Sequence, residues 1–163
     1  MQNNKTTYDL SWRAWLGLKV NAYKELIKMR LSLLVVFSAI FGYAMAPNVA
    51  GWDGITLVWL ALGGLLVTGA SNTLNQVLEV EYDAQMTRTK ERPIVTGSVS
   101  PNEAVLFALL TGTGGVLILG LVFEGLVPAL LGIIALLSYA FVYTPMKRVT
   151  PLGVFVGAFP GAM

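Results

Sequence analysis

Asn75, Glu79 and Asp83 recur every four residues at the end of a long apolar stretch, and Arg88, Lys90 and Arg92 follow within one short segment. On a helix this spacing stacks the first three on one face, with neighbouring Cβ atoms about 5–6 Å apart. Two carboxylates placed so suit Mg²⁺, which takes hard oxygen ligands at about 2.0–2.1 Å and usually shares them with substrate phosphates. Glu79 and Asp83 are therefore the expected metal ligands, with Asn75 on the same face. The guanidinium forks of Arg88 and Arg92 suit phosphate oxygens, and Lys90 adds a point charge. The set reads as a clamp for metal-bound diphosphate beside lipid. The plainer alternative is a helix leaving a membrane into a charged, solvated loop. The acid-then-base order and the single-face spacing favour the clamp. Glu81 lies about 200° around the helix from Glu79, at about 100° per residue, and is read as solvated.

The elements that must hold this clamp are membrane spans. Of 163 residues, 55% are hydrophobic and 12% charged, against about 25% charged in an ordinary globular domain. Mean hydropathy is +0.67. Uncharged runs cover 31–52, 55–78, 104–123 and 125–146, each long enough for the roughly 20 residues a spanning helix needs. The expected fold is an all-α polytopic membrane protein with four complete transmembrane helices. A fifth apolar segment, 149–163, is read as the start of another span, cut in mid-helix. Cysteine and histidine are absent, which leaves chemistry to carboxylates, cations, amides and tyrosines and excludes thiolate or imidazole metal sites from this chain.

All 11 lysines and arginines fall before the first run, between the second and third, or after the fourth. The connections 47–54 and 124–127 carry none. By the positive-inside rule the N-terminus and the 79–102 loop are expected in the cytoplasm. The first long apolar run begins at Leu31 without a small-residue cleavage pattern, so the N-terminus is expected to be retained. Residues 1–30 form a cytoplasmic segment in which Trp12, Trp15, Leu16, Val20, Tyr23, Leu26 and Ile27 mark an amphipathic helix lying in the interface. Residues 31–163 form the transmembrane domain. Lys28 and Arg30 sit at its edge, where snorkelling accounts for them as well as phosphate binding does.

Thr96-Gly97-Ser98 marks a turn. Ser100, Pro101 and Glu103 are expected to start the third span as N-cap, first helical residue and capping-box acid. The second span is rich in small residues and runs into the acidic motif without a breaker. Asn72 either lines the same cavity as Asn75 or hydrogen-bonds a neighbouring helix. Tyr139 and Tyr143 share a face near the end of span four. They suit an aromatic interface belt or contact with a substrate cation or acceptor. Gly153, Gly157 and Gly161 form a small-residue packing stripe.

Asn75, Glu79, Asp83, Arg88-Thr89 and Arg92-Pro93 together resemble the first acidic motif of the intramembrane prenyltransferases, the UbiA superfamily. Gln76 and Glu79 stand where many members carry Asp, and these departures resemble the heme O synthase branch. So do Lys28-Met29-Arg30, the stretch from Tyr143 to Arg148, and that from Gly157 to Met163, although Met29 replaces a proline of the pattern. The resemblance covers about residues 24–163, the first half of a roughly nine-helix bundle with a second acidic motif in its later half. It implies transfer of a farnesyl group from farnesyl diphosphate to a vinyl group of heme b, with Mg²⁺ at Glu79 and Asp83. It further implies that Arg88 and Arg92 stabilise the departing diphosphate and that Asn75 orients a ligand or metal-bound water. This chain alone would then bind diphosphate weakly and not turn over.

Three other readings compete. The same mechanism could prenylate an aromatic acid or quinone precursor. An ion-coupled transporter fragment would place its site at a broken helix near the bilayer midplane. A non-catalytic membrane scaffold would tolerate loss of Glu79 and Asp83. Nucleic-acid binding is not expected, because the basic cluster is short and contains an acid. Oligomeric state is left open by the sequence.

Overall fold

Polar and apolar residues separate along this chain by the ends of its helices. The computed structural model describes residues 12–46, 53–123, 125–150, 153, 157 and 158. Helix α1 (Trp12–Leu26) is followed by α2 (Met29–Ala44), α3 (Gly54–Leu78), a short α4 (Val80–Gln85), α5 (Pro101–Val122) and α6 (Leu126–Leu137). The last continues through a π-helical turn (Ser138–Tyr143) into α7 (Thr144–Val149). Among the described residues three helices are long and apolar enough to cross a membrane: Gly54–Leu78, Pro101–Val122 and the composite Leu126–Val149. The pair α1 and α2, bent by 51°, makes a fourth crossing if counted as one broken span. The chain is an all-α integral membrane protein.

The expected first span is shorter than its uncharged run. Helix α2 has 16 residues and ends at Ala44, with Met45 at φ −90°, ψ −4°. Pro47 follows Ala46, and the residue before a proline is biased away from the helical region. Most of the fifth apolar segment, including Gly161, lies outside the described residues, as does everything before Trp12.

Caps set the other boundaries. Asp53 accepts from the Ile55 N–H at 3.2 Å and the Thr56 hydroxyl at 2.6 Å. These bonds, the hydroxyl first, hold its carboxyl below the usual range. Ser100 accepts from the Glu103 N–H while Glu103 accepts from the Ser100 N–H, so the capping box expected from the sequence is present.

Helix α3 is the centre of the bundle and touches α2, α5, α6 and the π turn. Lipid gives little hydrophobic drive for helices to associate, so close backbone approach matters. A Cβ on Gly115 of α5 would lie 2.9 Å from the Gly63 carbonyl oxygen and the Val67 nitrogen of α3. Near the acidic motif a small core of Ala22, Leu26, Ile94, Val99 and Ala104, flanked by Tyr23, Val77 and Val80, ties α1, α3, α4, α5 and the 86–100 loop together. The loop is a run of hydrogen-bonded turns, and Gly97 takes φ +75° in the expected turn. Lys19 and Tyr23 of α1 both bond Glu103, at 2.9 and 2.6 Å.

Candidate functional site

Helix α3 turns polar on its buried side over its last turns: Ser71, Asn72, Thr73, Asn75 and Gln76 are all buried. Each such group must be hydrogen-bonded to be tolerated there. Among the described residues no buried side-chain nitrogen or oxygen lacks a partner.

The acidic motif is not one continuous helix. Glu79 leaves helical geometry at φ −107°, ψ 5° and separates α3 from α4. Arg148 donates to the Leu78 carbonyl at 3.1 Å beside this break. The Glu79 N–H still bonds the Asn75 carbonyl, and the Asp83 N–H the Glu79 carbonyl. Four-residue register is thus kept across the break, and Asn75, Glu79 and Asp83 are all buried.

Both carboxylates have cationic partners. Glu79 is bonded by Lys147 at 2.7 Å, and Arg148 lies 3.5 Å away. Asp83 pairs with Arg92, and its carbonyl accepts from Thr89 at 3.0 Å. Taking a carboxylate out of water is costly unless it is paired in this way. Asn75 is the hub between elements. Its amide nitrogen donates to Glu79 and to the Thr144 hydroxyl, each at 2.9 Å, and its oxygen accepts from Lys28 at 3.4 Å.

The π turn brings the composite helix Leu126–Val149 into this set. Thr144 donates its backbone N–H and its hydroxyl to the Tyr139 carbonyl, five residues back. Pro145 has no N–H and its ring crowds the preceding turn, so a widened turn is a local solution that recurs at functional sites. Tyr139 and Tyr143 stack with ring centroids 5.1 Å apart, and Lys147 lies 5.4 Å from the Tyr143 ring.

These groups surround a polar cavity of about 470 Å³ whose walls include Lys28, Asn75, Arg88, Arg92, Tyr143 and Lys147. Leu31 and Tyr139 line it and also line an apolar cavity of about 210 Å³ that runs along Val35, Val67, Thr68 and Ser71. A cationic chamber thus opens beside a greasy one.

Of the residues singled out from sequence, Asn75, Arg88, Arg92, Lys28, Tyr139 and Tyr143 meet at the polar cavity. Glu79 and Asp83 sit behind its wall, held by its cations. Lys90 and Arg30 are exposed and lie off the wall. Glu81 is exposed, as read from its angle on the helix. Asn72 takes the second of its two expected roles, donating to the Ile27 carbonyl at 3.3 Å and to Ser32 of α2 at 3.4 Å, and it lines the apolar cavity rather than the polar one that Asn75 lines. Sequence reasoning uses Lys147 and Arg148 for topology and, with Thr144, for the family resemblance, but gives none of the three a place in the site. The signal was present: Tyr139, Tyr143 and Lys147 have the same four-residue spacing as Asn75, Glu79 and Asp83.

Among the described residues no three acidic side chains gather to form a metal site by themselves. Two carboxylates fit Mg²⁺, which is commonly held by one or two carboxylates, with waters and substrate phosphates completing its shell.

The family model described as UbiA prenyltransferase family matches residues 35–163. The chain is 43% identical over 141 residues to a protoheme IX farnesyltransferase of Christiangramia forsetii, covering 86% of this chain and 46% of that protein. It is 42% identical to the protein of that name in Flavobacterium psychrophilum, covering 88% and 47%. With the mitochondrial protoheme IX farnesyltransferase of Emericella nidulans it shares 37% identity, over 89% and 31%. The chain spans about half the length of the bacterial relatives it matches. No solved structure matches it.

Proposed function

This chain belongs to the UbiA prenyltransferase family, and on that premise we propose that it carries the diphosphate-binding half of a site that transfers a farnesyl group from farnesyl diphosphate to heme b. The observation that carries this reading is the meeting of Lys28, Arg88, Arg92 and Lys147 around one cavity, with an apolar cavity continuing past Leu31 and Tyr139. A diphosphate head and an isoprenoid tail need these two surroundings side by side. The names of the relatives favour heme b as acceptor over an aromatic acid or quinone precursor.

Glu79 and Asp83 would hold Mg²⁺, which when bound neutralises charge on a leaving diphosphate. Their charge is met by Lys147, Arg148 and Arg92. On substrate binding these cations would turn to phosphate oxygens, so that charge growing as the C1–oxygen bond breaks meets donors already in place. Asn75 fixes Glu79 and would orient a further ligand. Tyr139, which lines both cavities, stacks on Tyr143 of the polar one, and their faces would shelter an allylic cation. The apolar walls would keep water from it until a vinyl carbon of heme b forms the new bond. Water then adds to the resulting cation, giving a hydroxyl group and releasing a proton.

The positive-inside rule supports a cytoplasmic N-terminus and 79–102 loop, the side from which a diphosphate would arrive. The break at Glu79 removes helix continuity as an argument against an ion-coupled transporter, but family membership and the cationic cavity favour the transferase. The test is titration of farnesyl diphosphate into the chain in lipid nanodiscs, with Mg²⁺ or with a chelator, using farnesol as control. Binding that requires both Mg²⁺ and the diphosphate supports the proposal. Equal binding of farnesol, or binding indifferent to the chelator, contradicts it.

A further inference from the structure

The connection between α1 and α2 holds the only non-glycine residue with positive φ among those described, Lys28 at φ 49°, ψ 59°. A residue with a Cβ pays for this left-handed conformation, and it persists only when its surroundings impose it. The break also leaves the carbonyls of Leu26 and Ile27 without regular helical partners, while the Glu25 carbonyl accepts from the Lys28 N–H at 3.1 Å.

Side chains distant in sequence satisfy those carbonyls. Gln76 donates its amide to the Leu26 carbonyl at 2.8 Å, with the Glu25 carbonyl at 3.5 Å. Asn72, one turn earlier on α3, donates to the Ile27 carbonyl at 3.3 Å and to the Ser32 hydroxyl at 3.4 Å. Ser32 itself donates to the Ile27 carbonyl at 2.6 Å. Gln76, Asn72 and Ser32 are all buried, so these bonds form away from competing water. A continuous helix from α1 into α2 would use the same carbonyls itself and release all three side chains.

We infer that Gln76, Asn72 and Ser32 form a clasp that keeps the α1–α2 connection open and thereby holds the Lys28 ammonium against Asn75 in the polar cavity. Gln76 and Asn72 are positioning residues: they do not grip diphosphate but set where Lys28 does. Asn72 and Gln76 flank Asn75 on α3, so one helix supplies both the hub of the site and the hold on its cation. The consequence for diphosphate rests on the function proposed above; the placement of Lys28 does not.

The test measures Lys28 directly. The chain in lipid nanodiscs is treated with a limiting amine-reactive ester, and labelling at each lysine is read by mass spectrometry, with Lys24 and Lys90 as internal standards. The Gln76→Met variant keeps the side-chain length and removes the donor. Its Lys28 labelling is expected to shift by about 5- to 30-fold, the factor matching loss of a left-handed constraint, while the standards stay unchanged. Ser32→Ala, a milder change in case Gln76→Met does not fold, is expected to move Lys28 in the same direction by a smaller factor. Unchanged Lys28 labelling in a folded variant overturns the clasp. In parallel, Mg²⁺ with inorganic diphosphate is titrated by ³¹P NMR. Weaker binding by Gln76→Met that disappears in a Lys28→Met background supports action through Lys28, whereas equal loss in both backgrounds overturns it. If labelling shifts but the wild-type chain binds no Mg²⁺–diphosphate, the clasp stands and the proposed function fails.

Discussion

A buried carboxylate survives in this bundle only because a cation meets it, and the pairs differ in how much each partner matters. Asp83 has one cationic side chain, Arg92, whereas Glu79 has Lys147 and Arg148. Removing one member of a buried pair leaves an uncompensated charge worth about 3–5 kcal/mol. Arg92→Met should therefore destabilise the chain by about that amount in thermal or denaturant unfolding. Lys147→Met should cost less, because Arg148 remains. The double variant Arg92→Met/Asp83→Asn should recover most of the lost stability while leaving Mg²⁺-dependent diphosphate binding abolished. Recovery of binding along with stability would show that Asp83 is only a structural partner. Thr144→Val removes a hydroxyl that bonds Asn75 and the Tyr139 carbonyl. It is expected to cost about 1–3 kcal/mol, the usual penalty for orphaning a buried polar group.

The elements were legible where local chemistry decides them. Trp12 begins the helix read from its apolar spacing, and Ser100 with Glu103 fixes the start of α5 through contacts three residues apart. What could not be read is set by distant partners. The break at Ile27–Lys28 is satisfied by Asn72 and Gln76, 45 and 50 residues away. The break at Glu79 has Arg148 bonding its neighbour Leu78 from 70 residues away. No periodicity encodes such contacts, whereas Pro145 is a local sign of the widened turn over Ser138–Tyr143. The acidic motif itself was readable, because a four-residue spacing survives one irregular residue when the hydrogen bonds on either side are kept. Packing of α3 on α5 gives a prediction at this scale. Gly115→Ala would press a methyl against the Gly63 carbonyl and should destabilise the bundle by about 1–3 kcal/mol. Thermal unfolding in detergent checks this, and an unchanged midpoint would mean that the helices separate without cost.

At the scale of the whole molecule, the chain puts its chemistry at one end of an apolar bundle and its basic residues around it. The absence of cysteine makes the expected sidedness directly measurable. A Ser98→Cys variant in oriented membranes should react with an impermeant thiol reagent only from the cytoplasmic side, and reaction from the opposite side alone would reverse the assigned topology. Relatives about twice as long share the family, and the site seen here supplies two carboxylates with four cations on the cavity wall. The account stands or falls on whether those carboxylates hold a metal together with diphosphate. The most direct measurement is pulsed EPR of Mn²⁺ in place of Mg²⁺, with farnesyl diphosphate added to the chain in nanodiscs. The account predicts bound Mn²⁺ with ³¹P coupling in the wild type and loss of both in Glu79→Gln and Asp83→Asn. Mn²⁺ that binds equally well without the diphosphate, or ³¹P coupling that survives both substitutions, would contradict it.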